Sequence, residues 1–118
     1  MAQVHHGAAE QSPLETEILQ EKAETLLRIS RTLSGILDEL VCMKERVPAL
    51  EGREREEGTR RFNSLCDQAE LYFWYLLVQR EALGLRHHDG LEEFYPIPRR
   101  LERVVTAERG AYNSRSET

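Results

Sequence analysis

The densest group of potential metal ligands in this sequence lies in the last third of the chain. His87, His88 and Asp89 are consecutive, and Glu92 and Glu93 follow. Imidazole nitrogens and carboxylate oxygens are common zinc donors. However, adjacent histidines do not converge on one ion, and the i, i+4 spacing that places two ligands on one helix face is missing. A loop followed by a capped helix explains the same residues, so we predict neither a metal site nor a cofactor.

Arg80 is a second candidate for a functional charge. It lies one helical turn beyond Leu76, on the side of its helix that we predict to be buried. A partly buried arginine needs a carboxylate or carbonyl partner. This charge could hold a ligand, but an ion pair with Glu21 or Glu24, or a contact with the C-terminal segment, is the more common arrangement. The sequence leaves the structural and the ligand-binding role of Arg80 open.

Motifs of the common catalytic sites are missing from the sequence. It has no glycine-rich phosphate loop, no Cys-x-x-Cys and no His-Glu-x-x-His. With 16 basic and 21 acidic residues, the formal charge is −5, so the chain as a whole does not attract phosphate or anionic lipid. We therefore predict that the protein is not an enzyme, and the charge balance disfavours a nucleic-acid partner.

The sequence predicts a cytoplasmic protein without a membrane partner. No stretch is apolar over the roughly 20 residues that a membrane span needs. Residues 1–11 lack the basic and apolar regions of a secretory signal. Cys42 and Cys66 show neither metal-like spacing nor a disulfide framework, which is typical of a reducing compartment. A disulfide between them requires antiparallel helices in one particular register.

A long amphipathic helix is predicted for residues 13–47. Ser12, Pro13 and Glu15 have the pattern of a helix start with a capping box. Apolar residues then recur every seven positions and form a coiled-coil-like seam. The seam consists of Leu19, Leu26, Leu33, Leu40 and Val47, with Ile29, Ile36 and Met43 between them. The residues that widen it, as in a helix bundle, are Ile18, Leu27, Leu37 and Val41.

A second helix is predicted for residues 59–83. Pro48 and Gly52 interrupt the first pattern, and we interpret residues 48–58, which are rich in both signs of charge, as a linker. Gly84 has the position of a C′ glycine that ends the second helix. The apolar positions of that helix are Phe62, Leu65, Cys66, Ala69, Tyr72, Phe73, Leu76 and Leu83. A short connection makes the two helices antiparallel neighbours.

The rest of the chain is predicted to add only short elements. We expect short helices at residues 89–95 and 98–109, the second of them starting at Pro98. Together with the two long helices they form a single helical domain over residues 12–109. Residues 1–11 and 110–118 are small and polar, and we interpret them as disordered tails.

Four consecutive aromatic residues provide the strongest functional signal. Tyr72, Phe73, Trp74 and Tyr75 precede Leu76, and successive helical residues lie about 100° apart. One partner helix cannot cover side chains that point around most of the circumference, so either the C-terminal segment or a second copy must do so. We predict a homodimer in which two hairpins form a four-helix bundle, with these five residues at its interface.

Two functions fit this organisation. The first is a helical interaction or scaffold module that acts through self-association and presents a helical surface to a protein partner. The alternative is a DNA-binding regulator in which residues 89–109 resemble a helix-turn-helix, with Arg99, Arg100 and Arg103 as phosphate contacts. The Tyr-Pro-Ile-Pro connector at residues 95–98 is stiffer than the usual glycine turn of such a motif.

A short motif in the second half of the chain resembles a family of small uncharacterised bacterial proteins. The motif is Val-Gln-Arg-Glu-Ala-Leu-Gly-Leu-Arg-His-His at residues 78–88, followed by a proline-bearing segment. The resemblance covers about residues 14–105 and implies an all-helical fold in a bacterial cytoplasm, without an established activity. Residues 95–98 depart from the family pattern, which has a glycine between the aromatic residue and the proline.

Overall fold

The computed structural model describes residues 12–102 and has two long helices that pack against each other. Helix α1 spans Pro13–Arg46, and helix α2 spans Gly52–Ala82. A 3-10 turn, Val47–Ala49, follows α1, and the short helix α3, Leu91–Phe94, lies in the C-terminal segment. No strand occurs within the range described, so the predicted all-α class is confirmed for it.

Helix α1 begins with the predicted capping box. The Ser12 hydroxyl accepts a hydrogen bond from the Glu15 amide at 3.0 Å, and the Glu15 carboxylate accepts one from the Ser12 amide at 3.2 Å. Pro13 occupies the first turn, where its missing amide hydrogen has no intrahelical partner to lose. The reciprocal pair satisfies two amides at the helix start, and such a cap is typically worth about 1 kcal/mol.

The connection between the long helices is shorter than predicted, and the linker assigned to residues 48–58 was wrong. Only the 3-10 turn and two further residues separate α1 from α2. Gly52 starts α2 with a φ of +60°, and Gly58 lies inside the helix. A Cβ at Gly58 would lie only 3.1 Å from a methyl carbon of Val47. This glycine therefore allows α2 to approach the turn closely and does not break the helix.

Side-chain contacts show that α1 and α2 run antiparallel. Near the connection, the Arg61 guanidinium of α2 donates to the Glu39 carboxylate of α1. At the other end, the Gln79 side-chain amide donates to the Lys22 carbonyl oxygen at 3.2 Å. Partners therefore move towards the start of α1 as the chain advances along α2, which is the order of an antiparallel hairpin.

The apolar core is densest in the half of the hairpin nearest the connection. Along the α1 seam, residues are buried from Leu33 onwards, whereas Leu26 and Ile29 are half-buried and Leu19 is exposed. The buried apolar side chains are Leu33, Ile36, Leu37, Leu40, Met43, Val47, Phe62, Leu65, Cys66, Ala69 and Leu76. The apolar contact between the two long helices therefore weakens towards the start of α1.

The buried stripe of α1 is narrower than the sequence predicted. Of the four residues expected to widen it, Leu37 is buried, but Ile18, Leu27 and Val41 are exposed. A single neighbouring helix covers one stripe and leaves the flanks of that stripe in solvent. A second helical neighbour for α1, which these residues predicted, is not present among the described parts of one copy.

Helix α2 ends with a Schellman motif at the predicted glycine. The Leu85 amide donates to the Arg80 carbonyl at 2.9 Å, and the Gly84 amide donates to the Glu81 carbonyl at 2.9 Å. Gly84 has a φ of +86°, a left-handed conformation that glycine adopts without the strain of a Cβ. This turn directs the chain back along the hairpin.

The C-terminal segment returns as a strap without regular secondary structure, defined here as residues 95–102. It lacks the predicted helix over residues 98–102, since side chains of α2 bond the Pro98 carbonyl and both backbone groups of Leu101 in place of intrahelical partners. Instead, the strap packs against the hairpin through the half-buried side chains of Tyr95, Ile97 and Leu101.

Helix α3 also differs from its predicted extent. It is confined to Leu91–Phe94 and follows Gly90 as its cap, whereas we predicted a helix over residues 89–95. The remainder of the predicted 98–109 helix, from residue 103 onwards, lies outside the described residues. The two predicted tails lie outside them as well.

Two helix glycines provide a matched test of the close approach at the connection. A Cβ at Gly35 would meet nothing within 4 Å, whereas one at Gly58 would meet Val47. Gly35→Leu should raise the free energy of unfolding by about 0.5–1 kcal/mol, because leucine favours a helix over glycine and the site is open. Gly58→Leu should lower it by about 1–3 kcal/mol, because the added side chain displaces the turn. Urea denaturation followed by circular dichroism measures both, and equal stabilities would contradict the packing described.

Candidate interaction surface

The structure divides the predicted aromatic interface among three sides of α2. Leu76 is 2% exposed and belongs to the hairpin core. Tyr72 and Phe73 are half-buried against that core. Trp74 and Tyr75 remain 57% and 38% exposed. The five predicted residues therefore do not form one surface, and only the last two face solvent.

Trp74 and Tyr75 belong to an exposed apolar stripe that also contains Leu71 and Val78. Leu71 is 46% exposed and Val78 is 44% exposed. The four residues follow the i, i+3, i+4, i+7 spacing of one helix face, which lies opposite the face carrying Leu76. The predicted set did not include Leu71 and Val78, although their spacing from the two aromatics was a signal that they share this face. We call these four residues the exposed stripe.

Ring contacts hold the aromatic part of the exposed stripe in a defined arrangement. The Tyr75 ring lies edge-on to the Tyr72 ring at a centroid distance of 5.4 Å. On its other side, the Trp74 ring lies 5.9 Å away and is tilted by 57°. Tyr72 is itself packed against the core, so the Tyr75 ring has a supported position. A partner would meet a partly ordered surface and would lose less side-chain entropy on binding.

The strap covers a different side of α2 and leaves the exposed stripe open. The Asn63 side chain donates to the Leu101 carbonyl at 3.0 Å and accepts from the Leu101 amide at 2.8 Å. The buried Cys66 thiol donates to the Pro98 carbonyl at 3.6 Å. Ile97 packs beside Phe73. The strap is thus an intramolecular cover for the Phe73 side.

The arginines predicted to contact nucleic acid are placed unequally. The Arg100 guanidinium forms ion pairs with Asp67 and with Glu70, the latter at 3.3 Å. Arg99 is exposed, and Arg103 lies outside the described residues. A phosphate at Arg100 would have to compete with two carboxylates, and a recognition helix does not begin at this point. Of the two described arginines, Arg100 contacts the hairpin, and its ion pairs hold the strap against α2.

Arg80 binds the C-terminal segment, which was one of the two arrangements predicted for it. Its Nε donates to the His88 Nδ1 at 3.2 Å, and its Nη2 donates to the His87 carbonyl at 2.6 Å. Because His88 Nδ1 accepts, the ring proton belongs on Nε2, which lies 3.2 Å from a Glu81 carboxylate oxygen. No described acid pairs directly with Arg80.

His87 and His88 take part in the hydrogen bonds that hold the turn after α2 to Arg80 and Glu81. Both ring nitrogens of His88 have partners, and His87 contributes its carbonyl oxygen while its side chain is exposed. Within residues 12–102, no group of three histidine, cysteine or acidic side chains is close enough to hold a metal ion.

The same range contains no helix that combines the length and the apolarity needed to cross a membrane.

Comparisons with protein-family models, curated proteins and solved structures return no match for this chain. The family resemblance of residues 78–88 therefore stays a prediction.

The two cysteines should report whether the strap is docked. Cys42 is exposed and Cys66 is buried beneath Pro98, and both are free thiols. Burial raises the pKa of the Cys66 thiol, Arg100 opposes this shift and Glu70 adds to it. Because the thiolate is the reactive form, a raised pKa means less thiolate at a given pH. At about pH 8, Ellman's reagent should therefore modify Cys42 quickly and Cys66 slowly, with Cys66 needing a more alkaline solution.

Loosening the strap should expose Cys66. Asn63→Ala removes both hydrogen bonds to Leu101 and should speed Cys66 labelling about tenfold, while Cys42 keeps its rate. Gln68→Ala changes an exposed residue of α2 and serves as the control. Equal Cys66 rates in the Asn63 variant and the control would contradict the strap as its cover.

Proposed function

We propose that this protein is a helical scaffold that self-associates through the exposed stripe of α2 and is not an enzyme. The observation that supports this most directly is the stripe itself. Its four apolar residues are 38–57% exposed in a chain in which 31% of the residues are charged. Aromatic residues grouped on one solvent-facing helix face are typical of protein-binding surfaces.

A second copy fits this stripe better than a different protein does, because the stripe is compatible with twofold symmetry. In an antiparallel pair of α2 helices, a twofold axis between Trp74 and Tyr75 places Leu71 of one copy against Val78 of the other. Trp74 then meets Tyr75 across the axis. An isologous contact requires this reciprocal matching of residues. Two hairpins joined in this way form the proposed four-helix arrangement.

The polar residues beside the stripe are also compatible with this pairing. In the same register, Gln68 of one copy lies opposite Glu81 of the other, and Asp67 lies opposite Ala82. No acid is placed directly against an acid, so the contact avoids the repulsion that like charges would add. An apolar centre with a polar rim is the usual organisation of a protein interface.

The scaffold role follows from what the dimer would leave accessible. The outer face of α1 and the strap would remain in solvent, so the assembly could present them to a protein partner. Two free thiols are consistent with the proposed cytoplasmic setting. The alternative, a DNA-binding regulator using residues 89–109, has less support because Arg100 is paired and residues 98–102 do not form a helix.

Charge introduced into the exposed stripe should prevent self-association without unfolding the hairpin. Size-exclusion chromatography with light scattering should give twice the 13.7 kDa chain mass for the native protein. Val78→Glu should weaken the dimer at least tenfold, because a carboxylate would be buried without a partner. Circular dichroism should show unchanged helix content in this variant.

The matched control is Val41→Glu, which makes the same change at a residue of α1 that is 69% exposed. This control should keep the native mass. A native protein that has the mass of one chain at every accessible concentration would contradict self-association. An equal loss of mass in both variants would show that the stripe has no specific role.

A further inference from the structure

A cavity of about 280 Å³ opens between α1, α2 and α3, on the strap side of the hairpin. Its wall is mainly aliphatic and is contributed by all three helices. The main lining residues are Leu26, Leu27, Leu76, Leu91, Tyr95 and Arg80. The volume is near the lower end of the range of small-molecule sites, about 300–1,000 Å³. The cavity lies where the hairpin core has thinned, and Leu91 is the residue that α3 contributes to its wall.

Arg80 gives this cavity a cation that has no direct counter-ion among residues 12–102. The guanidinium donates to Nδ1 of the His88 ring and to the His87 carbonyl oxygen, and neither acceptor is a carboxylate. The carboxylate of Glu81 belongs to the same network but contacts the other side of the imidazole. Among the described residues, Nη1 of Arg80 has no hydrogen-bond partner. A half-buried guanidinium gains most from a carboxylate, which accepts charge-assisted hydrogen bonds.

We propose that this cavity binds an aliphatic monocarboxylate of medium chain length. The carboxylate would pair with Arg80, and the alkyl chain would pack against the leucines of α1, α2 and α3. Aliphatic walls favour an unbranched hydrocarbon over a polar metabolite, since burying polar groups without partners is unfavourable. The site is separate from the exposed stripe, so it does not depend on the proposed self-association.

Two neighbouring cavities lack this combination of walls and charge. Both are bounded by α2 and the segment after it, and Phe73 lines each of them. One contains Glu92, and the other contains Asp89, Glu92 and Glu93. Acidic side chains repel an anionic ligand, and neither cavity is lined by an arginine or lysine. Of these three cavities, the one at Arg80 is therefore suited to a carboxylate.

Isothermal titration calorimetry with three probes of equal chain length tests the proposal. Octanoate, octanol and octyltrimethylammonium are each titrated below the concentration at which they form micelles. Octanoate should bind saturably with one molecule per chain. Octanol should bind at least tenfold more weakly, because it lacks the charge, and the cation should not bind. Equal affinity for octanoate and octanol would overturn the proposal, as would the absence of saturable octanoate binding.

Variants then locate the bound octanoate. Ser30 lines the cavity, and Ser30→Leu should fill it and weaken octanoate binding at least tenfold. Ser34→Leu makes the same change one turn further along α1, at an exposed residue outside the lining, and should leave the affinity unchanged. Arg80→Gln should reduce octanoate binding to the level of octanol.

The exposed stripe is the competing location for an amphiphile. Val78→Glu should leave octanoate binding unchanged if the cavity is the site. Loss of binding in that variant would overturn the proposal, and so would unchanged binding in Ser30→Leu. Because Arg80 also holds the His87–His88 turn, its variant is interpreted together with its melting temperature. Ser30→Leu keeps the test independent of that turn.

Discussion

Helix α2 carries apolar side chains around its whole circumference between residues 71 and 78, and this constraint organises the rest of the molecule. A helix that is apolar on all sides must be covered on all sides. Helix α1 covers the side of Leu76, and the strap covers the side of Phe73. The side of Trp74 stays in solvent in a single copy. Each side of this part of α2 is thus covered in its own way. Helix α1 covers one side, the strap covers a second, and the proposed dimer would cover the third.

The strap is held by side chains, so it needs no helix of its own. Asn63 satisfies both backbone groups of Leu101, and Arg80 binds the turn that starts the return. Pro96 and Pro98 have no amide hydrogens, so neither residue leaves a backbone donor without a hydrogen-bond partner. Such a cover is less complete than a packed helix. The cavity beside Arg80 is lined by residues of both long helices, by Leu91 of α3 and by Tyr95 of the strap.

Local signals in the sequence predicted the start of α1 and the end of α2, but contacts between distant residues determined the rest. The Schellman ending needs only Gly84 and its neighbours. The linker was mispredicted because the role of Gly58 depends on Val47, across the turn. In the candidate site, the aromatic residues were identified, but their division among three sides depends on where the strap docks. Leu71 and Val78 were recognisable from spacing alone, yet their exposure became evident only with α1 and the strap in place.

Trp74 tests most directly whether a second copy covers the exposed stripe, because it is the only tryptophan in the chain. The measurement is its fluorescence emission over a dilution series, with circular dichroism recorded on the same samples. Burial of Trp74 across a dimer interface predicts a blue-shifted emission at high concentration that moves to the red on dilution while helix content stays constant. An emission maximum typical of solvent-exposed tryptophan at every concentration would contradict the account.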